Sequence, residues 1–187
     1  MSIAAHLPSV ATLLEPANIV GTIALATTCT WPLLRQRRAI LSVQVLGAML
    51  FALHYLLLGS PTAAAMCALG VVQGLAVMLL PRREWRIAAV AATVVVSFGA
   101  TATTWSDLAS LFSQLGGIAG AAGRLQADTQ RLRLFFLLSV VFWCGHNLLV
   151  GSVFGLFADA LSLTGLLLGL WRNRVRTHLA VAGAVAA

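Results

Sequence analysis

Apolar runs separated by short polar breaks fill this chain from end to end. Seven of them, near 17–34, 39–58, 62–80, 86–104, 107–123, 132–150 and 153–171, are long enough to cross a hydrocarbon core of roughly 30 Å at about 1.5 Å per helical residue. The runs are nearly continuous rather than alternating, which predicts helices and not strands. The fifth is the most broken, with Ser110, Ser113, Gly116, Gly117 and Gly120. The spacing of Gly116 and Gly120 suits close packing against a neighbouring helix. Trp31-Pro32 falls near the end of the first run, where the pair predicts a kink and an interfacial anchor, roles that in a facilitator coincide with a gate.

The polar breaks sort by charge. Arg35, Arg37 and Arg38 follow the first run, Arg82, Arg83 and Arg86 the third, Arg124, Arg131 and Arg133 the fifth, and Arg172, Arg174 and Arg176 the seventh. The alternate connections hold Glu15, Asp107 and two uncharged hairpins, Gly59-Ser60-Pro61 and Gly151-Ser152. All the arginines therefore fall on one side, which the positive-inside rule makes cytoplasmic, with the N-terminus outside and the C-terminus inside. The residues before Pro16 lack a basic start and a continuous apolar core, so the first span is expected to serve as its own insertion signal.

Composition agrees with a polytopic membrane protein. Hydrophobic residues make up 60% of the 187 and charged residues only 9%, with a mean hydropathy of +0.95, too little charge for a soluble surface of this size. The net charge of +7 reports topology and implies no nucleic-acid partner. The partner is the lipid bilayer, with anionic headgroups as secondary contacts of some arginines. Cys29, Cys67 and Cys144 sit in separate apolar runs and read as small buried residues. Neither metal-ligand spacing nor a glycine-rich phosphate loop is present, so the expectation is no enzyme, no cofactor and no metal.

The chain also repeats itself. Phe51-Ala-Leu-His54-Tyr55-Leu-Leu-Leu-Gly59-Ser60 aligns without a gap on Trp143-Cys-Gly-His146-Asn147-Leu-Leu-Val-Gly151-Ser152, at an offset of 92 residues. Ala68 and Leu69 then fall on Ala160 and Leu161, Leu75 on Leu167 and Arg82 on Arg174. A three-span unit enters and leaves a membrane on opposite sides, so two such units run parallel only if an odd span lies between them. The fold expected is all-α, in a 3+1+3 plan. It comprises an extracytoplasmic segment (1–16), a first triple-helix repeat (17–80), a linker transmembrane helix (81–106), a second repeat (107–171) and a cytoplasmic tail (172–187). This plan resembles that of the SWEET sugar facilitators and their PQ-loop relatives. The Pro-Gln dipeptide of the latter is replaced here by Trp31-Pro32-Leu33.

A closer resemblance, over nearly the whole chain, is to the bacterial inner-membrane YgjV-like family. It is carried by His54-x-x-Leu57-Leu58-Gly59, by His146-Asn147 with Gly151-Ser152, by the acidic Asp159 and by the exit Trp171-Arg172. It implies a SWEET-like fold and the bacterial cytoplasmic membrane as location.

Asp159 is the sharpest candidate, because a carboxylate among Phe157, Leu161 and Leu163 costs at least a few kcal/mol unless it faces a cavity or a partner. Depth along the hairpin makes His146 the expected partner, and a carboxylate–imidazole pair could hold a proton. The expected solute site comprises Asp159, His146, Asn147, His54 and Tyr55, with Trp31 and Pro32 at a gate. For each the plainer alternative is a helix-packing hydrogen bond or an interfacial anchor, and Gln44 and Gln73 read as packing amides. Two functions follow. One is a transporter of a small solute, sugar-like or another polar metabolite, by alternating access, with protons as a candidate co-substrate. The other is a non-transporting binding or assembly protein whose polar residues only lock helices. Either is compatible with a homo-oligomer.

Overall fold

The computed structural model describes residues 15–186, with side chains described for 15–172. The described residues are all-helical: α1 (Pro16–Thr28), α2 (Arg37–Leu57), α3 (Pro61–Leu79), α4 (Arg83–Thr104), α5 (Leu108–Leu125), α6 (Thr129–Val150) and α7 (Val153–Ala186), with a 3-10 turn at Trp31–Leu33. Five helices are long and apolar enough to cross a membrane: α2, α3, α4, α6 and the Val153–Arg172 part of α7.

Two predicted boundaries differ. The first run does not form one helix to residue 34. α1 stops at Thr28 and the chain turns through the 3-10 segment, because Pro32 has no N–H to continue the ladder. The last helix does not end near residue 171, since α7 is unbroken over 34 residues and continues beyond its membrane-length part. Trp171 to Ala186 contains no proline and is rich in alanine and arginine, both good helix formers. Of the predicted extracytoplasmic segment, residues 1–14 lie outside the described residues.

The two hairpins are built alike. Gly59 and Gly151 adopt φ of +71° and +68°, the left-handed conformation that ends a helix. Around each, the next residue's N–H reaches back one turn: Ser60 N to Tyr55 O at 2.8 Å, and Ser152 N to Asn147 O at 3.0 Å. Open space surrounds both glycines, so the backbone angle and not crowding requires them.

Packing runs α1–α2–α3–α5–α6–α7 and back to α1, while α4 lies outside against α3 and α5. One apolar cluster, including Trp31, Ile40, Leu132, Phe136 and Leu166, fills the end that carries the arginines. A second, including Ala24, Phe51, Tyr55, Ala63 and Ala158, fills the half nearer the hairpins. α4 joins the first cluster through Val90 and is otherwise held by polar contacts. Its buried residues are Val90, Thr93, Ser97 and Thr101, on one face at helical spacing. Gln73 Nε2 donates to Thr93 Oγ1 at 2.9 Å, Gln114 Nε2 donates to Ser97 Oγ at 2.9 Å, and Thr101 Oγ1 donates to Gln114 Oε1 at 2.7 Å. In a bilayer, where lipid tails satisfy an apolar face as well as another helix does, such side-chain bonds tie a helix to its neighbours.

Candidate functional site

At the hairpin end of the bundle, three polar side chains form a directed chain. Tyr55 O–H donates to Asn147 Oδ1 at 2.8 Å, and Asn147 Nδ2 donates to Asp159 Oδ2 at 2.7 Å. All three are buried. Tyr55 and Asn147 occupy equivalent positions of the repeat, so the bond between them joins the two halves where they meet. The Tyr55 ring is stacked between Phe51 (centroids 5.7 Å apart) and Trp143 (5.6 Å), themselves an equivalent pair. Gly155 lets Asn147 lie this close, because a Cβ there would occupy the amide's place.

The histidines flank this chain. His54 Nδ1 meets the Ala17 carbonyl at 2.8 Å, and His146 Nδ1 meets the Ala109 carbonyl at 2.9 Å. Ala17 and Ala109 are again 92 residues apart, so the sequence register is also a register of hydrogen bonds. A carbonyl only accepts, which puts the proton on Nδ1 of each neutral ring and leaves Nε2 as an acceptor. For His54 that acceptor lies 3.0 Å from Ser152 Oγ, which donates to it. For His146 the buried Nε2 has no hydrogen-bond partner, although Ser60 is the register equivalent of Ser152.

Below this layer lies a cavity of about 140 Å³, reached by side chains from both halves, among them Gln44, Tyr55, Cys67, Arg124, Asp159 and Ser162. Two of its polar atoms are buried without a partner: Gln44 Oε1, an acceptor, and Arg124 Nε, a donor. Arg124 Nη1 donates to Gln73 Oε1 at 3.0 Å, and its guanidinium carbon sits 5.6 Å from the centroid of the Phe136 ring. The cavity therefore carries a cation at one place, a carboxylic group at another, and unmatched hydrogen-bonding capacity between them.

The arginine end is closed by clasps onto backbone. Arg37 Nε donates to Gln126 O at 2.9 Å and its Nη2 to Arg124 O at 2.7 Å, while Arg133 Nη2 donates to Leu34 O at 2.9 Å. Leu34 and Gln126 are register equivalents, so each half offers the same carbonyl to an arginine of the other. The donors differ by one turn, since Leu41 stands at the position equivalent to Arg133.

The sequence expectations fare unevenly. Asp159, Asn147 and Tyr55 come together. His54 and His146 are both adjacent but turned away from the carboxylate, and the expected His146–Asp159 pair does not form, because His146 spends its donor on Ala109 and Asn147 takes the carboxylate. Trp31 and Pro32 are buried towards the arginine end, Trp31 edge-on to Phe136 at 5.4 Å and lining the inner part of the same cavity, and Pro32 against Gly165, where a Cβ would run into its ring. Other polar side chains of the cavity carry different readings in the sequence: Arg124 only as a topology signal, Cys67, the register equivalent of Asp159, as a small buried residue, and Gln44 as a packing amide, while Ser162 has no site role there. The repeat itself held the signal for Cys67, and the unusual amide within a span held it for Gln44.

No curated protein and no solved structure matches the chain. The family model Imp-YgjV, described as "Bacterial inner membrane protein", matches residues 16–177. That span covers most of the chain, and it contains every residue of the polar chain, the histidine pair and the cavity, so this protein belongs to the Imp-YgjV family of bacterial inner membrane proteins.

Proposed function

We propose that this protein carries a small polar solute across the inner membrane by alternating access between two three-helix repeats. In this reading all seven helices span, α1–α3 and α5–α7 run parallel as 3+1+3 bundles with α4 inverting the chain between them, and the arginine end faces the cytoplasm. The N-terminus is then outside and the C-terminus inside. The observation that carries the proposal is the cavity between the halves, lined by Asp159 and Arg124 and holding two buried polar atoms without partners. A sealed structural core satisfies such atoms internally, whereas a binding site leaves them for its ligand. Sugars and other small polar metabolites present the required donors and acceptors. Tyr55 and Asp159 form the outer wall of the site, with Asn147, His146 and His54 packed behind them, and the Arg37 and Arg133 clasps close its inner end.

The test needs no known substrate. Ser162 lines the cavity and is buried. In protein with Cys29, Cys67 and Cys144 replaced by alanine, Ser162→Cys is labelled with a membrane-impermeant thiol reagent from each face of sealed vesicles in turn. Labelling from both faces is expected. Exclusion from both faces, in protein that remains folded, would replace transport by the second reading. That reading is a membrane-embedded binding or assembly protein, favoured by the internal closure of the Tyr55–Asn147–Asp159 chain.

A further inference from the structure

A second cavity, of about 210 Å³, opens at the arginine end where the turn after α1, the start of α6 and the middle of α7 converge. Its polar lining is Arg35, Thr129, Gln130, Arg133 and Arg172, and none of its lining residues is acidic. Arg133 is only 7% exposed. One of its terminal nitrogens is held by the Leu34 carbonyl, and its Nε is buried without any partner. The guanidinium lies against Gly169, where any Cβ would run into it, so the helix is cut back to admit a cation. Thr129 and Gln130 belong to the first turn of α6, whose partial positive charge adds to the three guanidinium groups. Asp128 caps that helix, accepting from the backbone of Gln130 and Arg131, and lines a different cavity.

We propose that this cavity is a binding site for a phosphate-bearing anion, held by Arg133 from within and by Arg35 and Arg172 at its mouth. A guanidinium offers charge-assisted N–H donors to phosphate oxygens, Arg133 keeps its Nε donor unused, and a buried cation without a counter-charge is expensive unless an anion completes it. The related place in the other half is a cavity with Arg37, Arg83, Arg86 and Arg131. There Asp128 contributes a carboxylate and Leu41 replaces the buried arginine, which makes it an internal control. The phosphate can come from an anionic lipid headgroup or from a soluble phosphoryl compound. The two share this chemistry and are told apart by experiment.

Full-length protein is purified in a neutral maltoside detergent and examined in two arms. Orthophosphate is titrated at constant ionic strength against chloride while thermal unfolding is followed. Phosphatidylglycerol and phosphatidylcholine are offered in equal amounts, and retention is read by native mass spectrometry. A rise in Tm with phosphate identifies a soluble phosphoryl ligand, and selective retention of phosphatidylglycerol identifies a headgroup. Either result supports the site provided that Arg133→Gln abolishes it. The exposed pair Arg35→Gln/Arg172→Gln, which spares the core, should weaken it at least tenfold, and Arg83→Gln/Arg86→Gln should leave it within twofold. The proposal is overturned if folded wild-type protein responds to neither probe. It is equally overturned if the Arg35/Arg172 variant binds like wild type, or if the Arg83/Arg86 control loses as much, since the arginines then act as a diffuse basic surface.

Discussion

His54 and His146 hold equivalent carbonyls within their own halves, yet only His54 completes its ring by reaching a serine of the other half. The same division recurs elsewhere. Inside the halves, the histidine–carbonyl contacts and the backbone of the two glycine-ended hairpins repeat, while the Asn147–Asp159 bond and the Ser152 cap belong to the second half alone. Bonds between halves diverge. Pro32 packs on Gly165, whereas their equivalents Arg124 and Gln73 form a hydrogen bond, and Cys67 stands opposite Asp159. The contacts that end on the backbone are those both copies share, while the side chains that face the other copy and the cavity differ between them. The candidate chemistry lies among those side chains.

The sharpest way to break the comparison is at the bond that joins the halves. Asn147→Ala strands Tyr55 O–H and Asp159 Oδ2 together and should cost on the order of 2–3 kcal/mol, seen as a fall in the thermal midpoint of the detergent-solubilised protein. Next comes a swap. In the first half Ala24 packs beside Phe51, and in the second Gly116 lies beneath Trp143, with only 2.9 Å for an added Cβ. Gly116→Ala alone should cost about 2 kcal/mol by overpacking. Gly116→Ala with Trp143→Phe, which installs the first half's pair, should recover at least about half of that. A double variant no better than the single would mean that the halves are not interchangeable there.

Smaller effects separate the hairpins. Ser152 Oγ accepts from Gly155 N at 3.1 Å as well as meeting His54, so Ser152→Ala should cost about 1–1.5 kcal/mol as a lost cap and a lost side-chain bond. Ser60 caps nothing with its side chain, and Ser60→Ala should stay within about 0.5 kcal/mol. The smallest contrast is between the rings: His54→Phe should cost about 0.5–1 kcal/mol more than His146→Phe, because it removes one further hydrogen bond. Equal costs in chemical denaturation would show that His146 Nε2 has a partner in solution.

Much of this was legible in the residues. The shared His and Gly-Ser set the register, and the carbonyls that the two rings meet in the structure obey it. A carboxylate within an apolar run marked the site. Its partner was misread because rise along a helix gives depth but not direction: His146 and Asn147 differ little in height yet point about 100° apart around the axis. Arg124 was read from its loop position, and only the fold shows its long side chain turning inward to Gln73. Trp31-Pro32 marks a kink in the sequence, but apolar composition carries the first run on to residue 34, whereas the helix ends at Thr28, one turn before the proline.

The histidine bonds carry one more consequence, for how such a protein tolerates change. Each imidazole is fixed, but its acceptor is a main-chain oxygen belonging to Ala17 or Ala109, and the arginine clasps likewise end on carbonyls of residues 34, 124 and 126. Any residue that preserves the local backbone supplies the same oxygen. Selection can therefore act on the donor positions while acceptor positions with room for another side chain drift, so close relatives should vary more at residues 17, 34 and 126 than at the side chains these carbonyls hold.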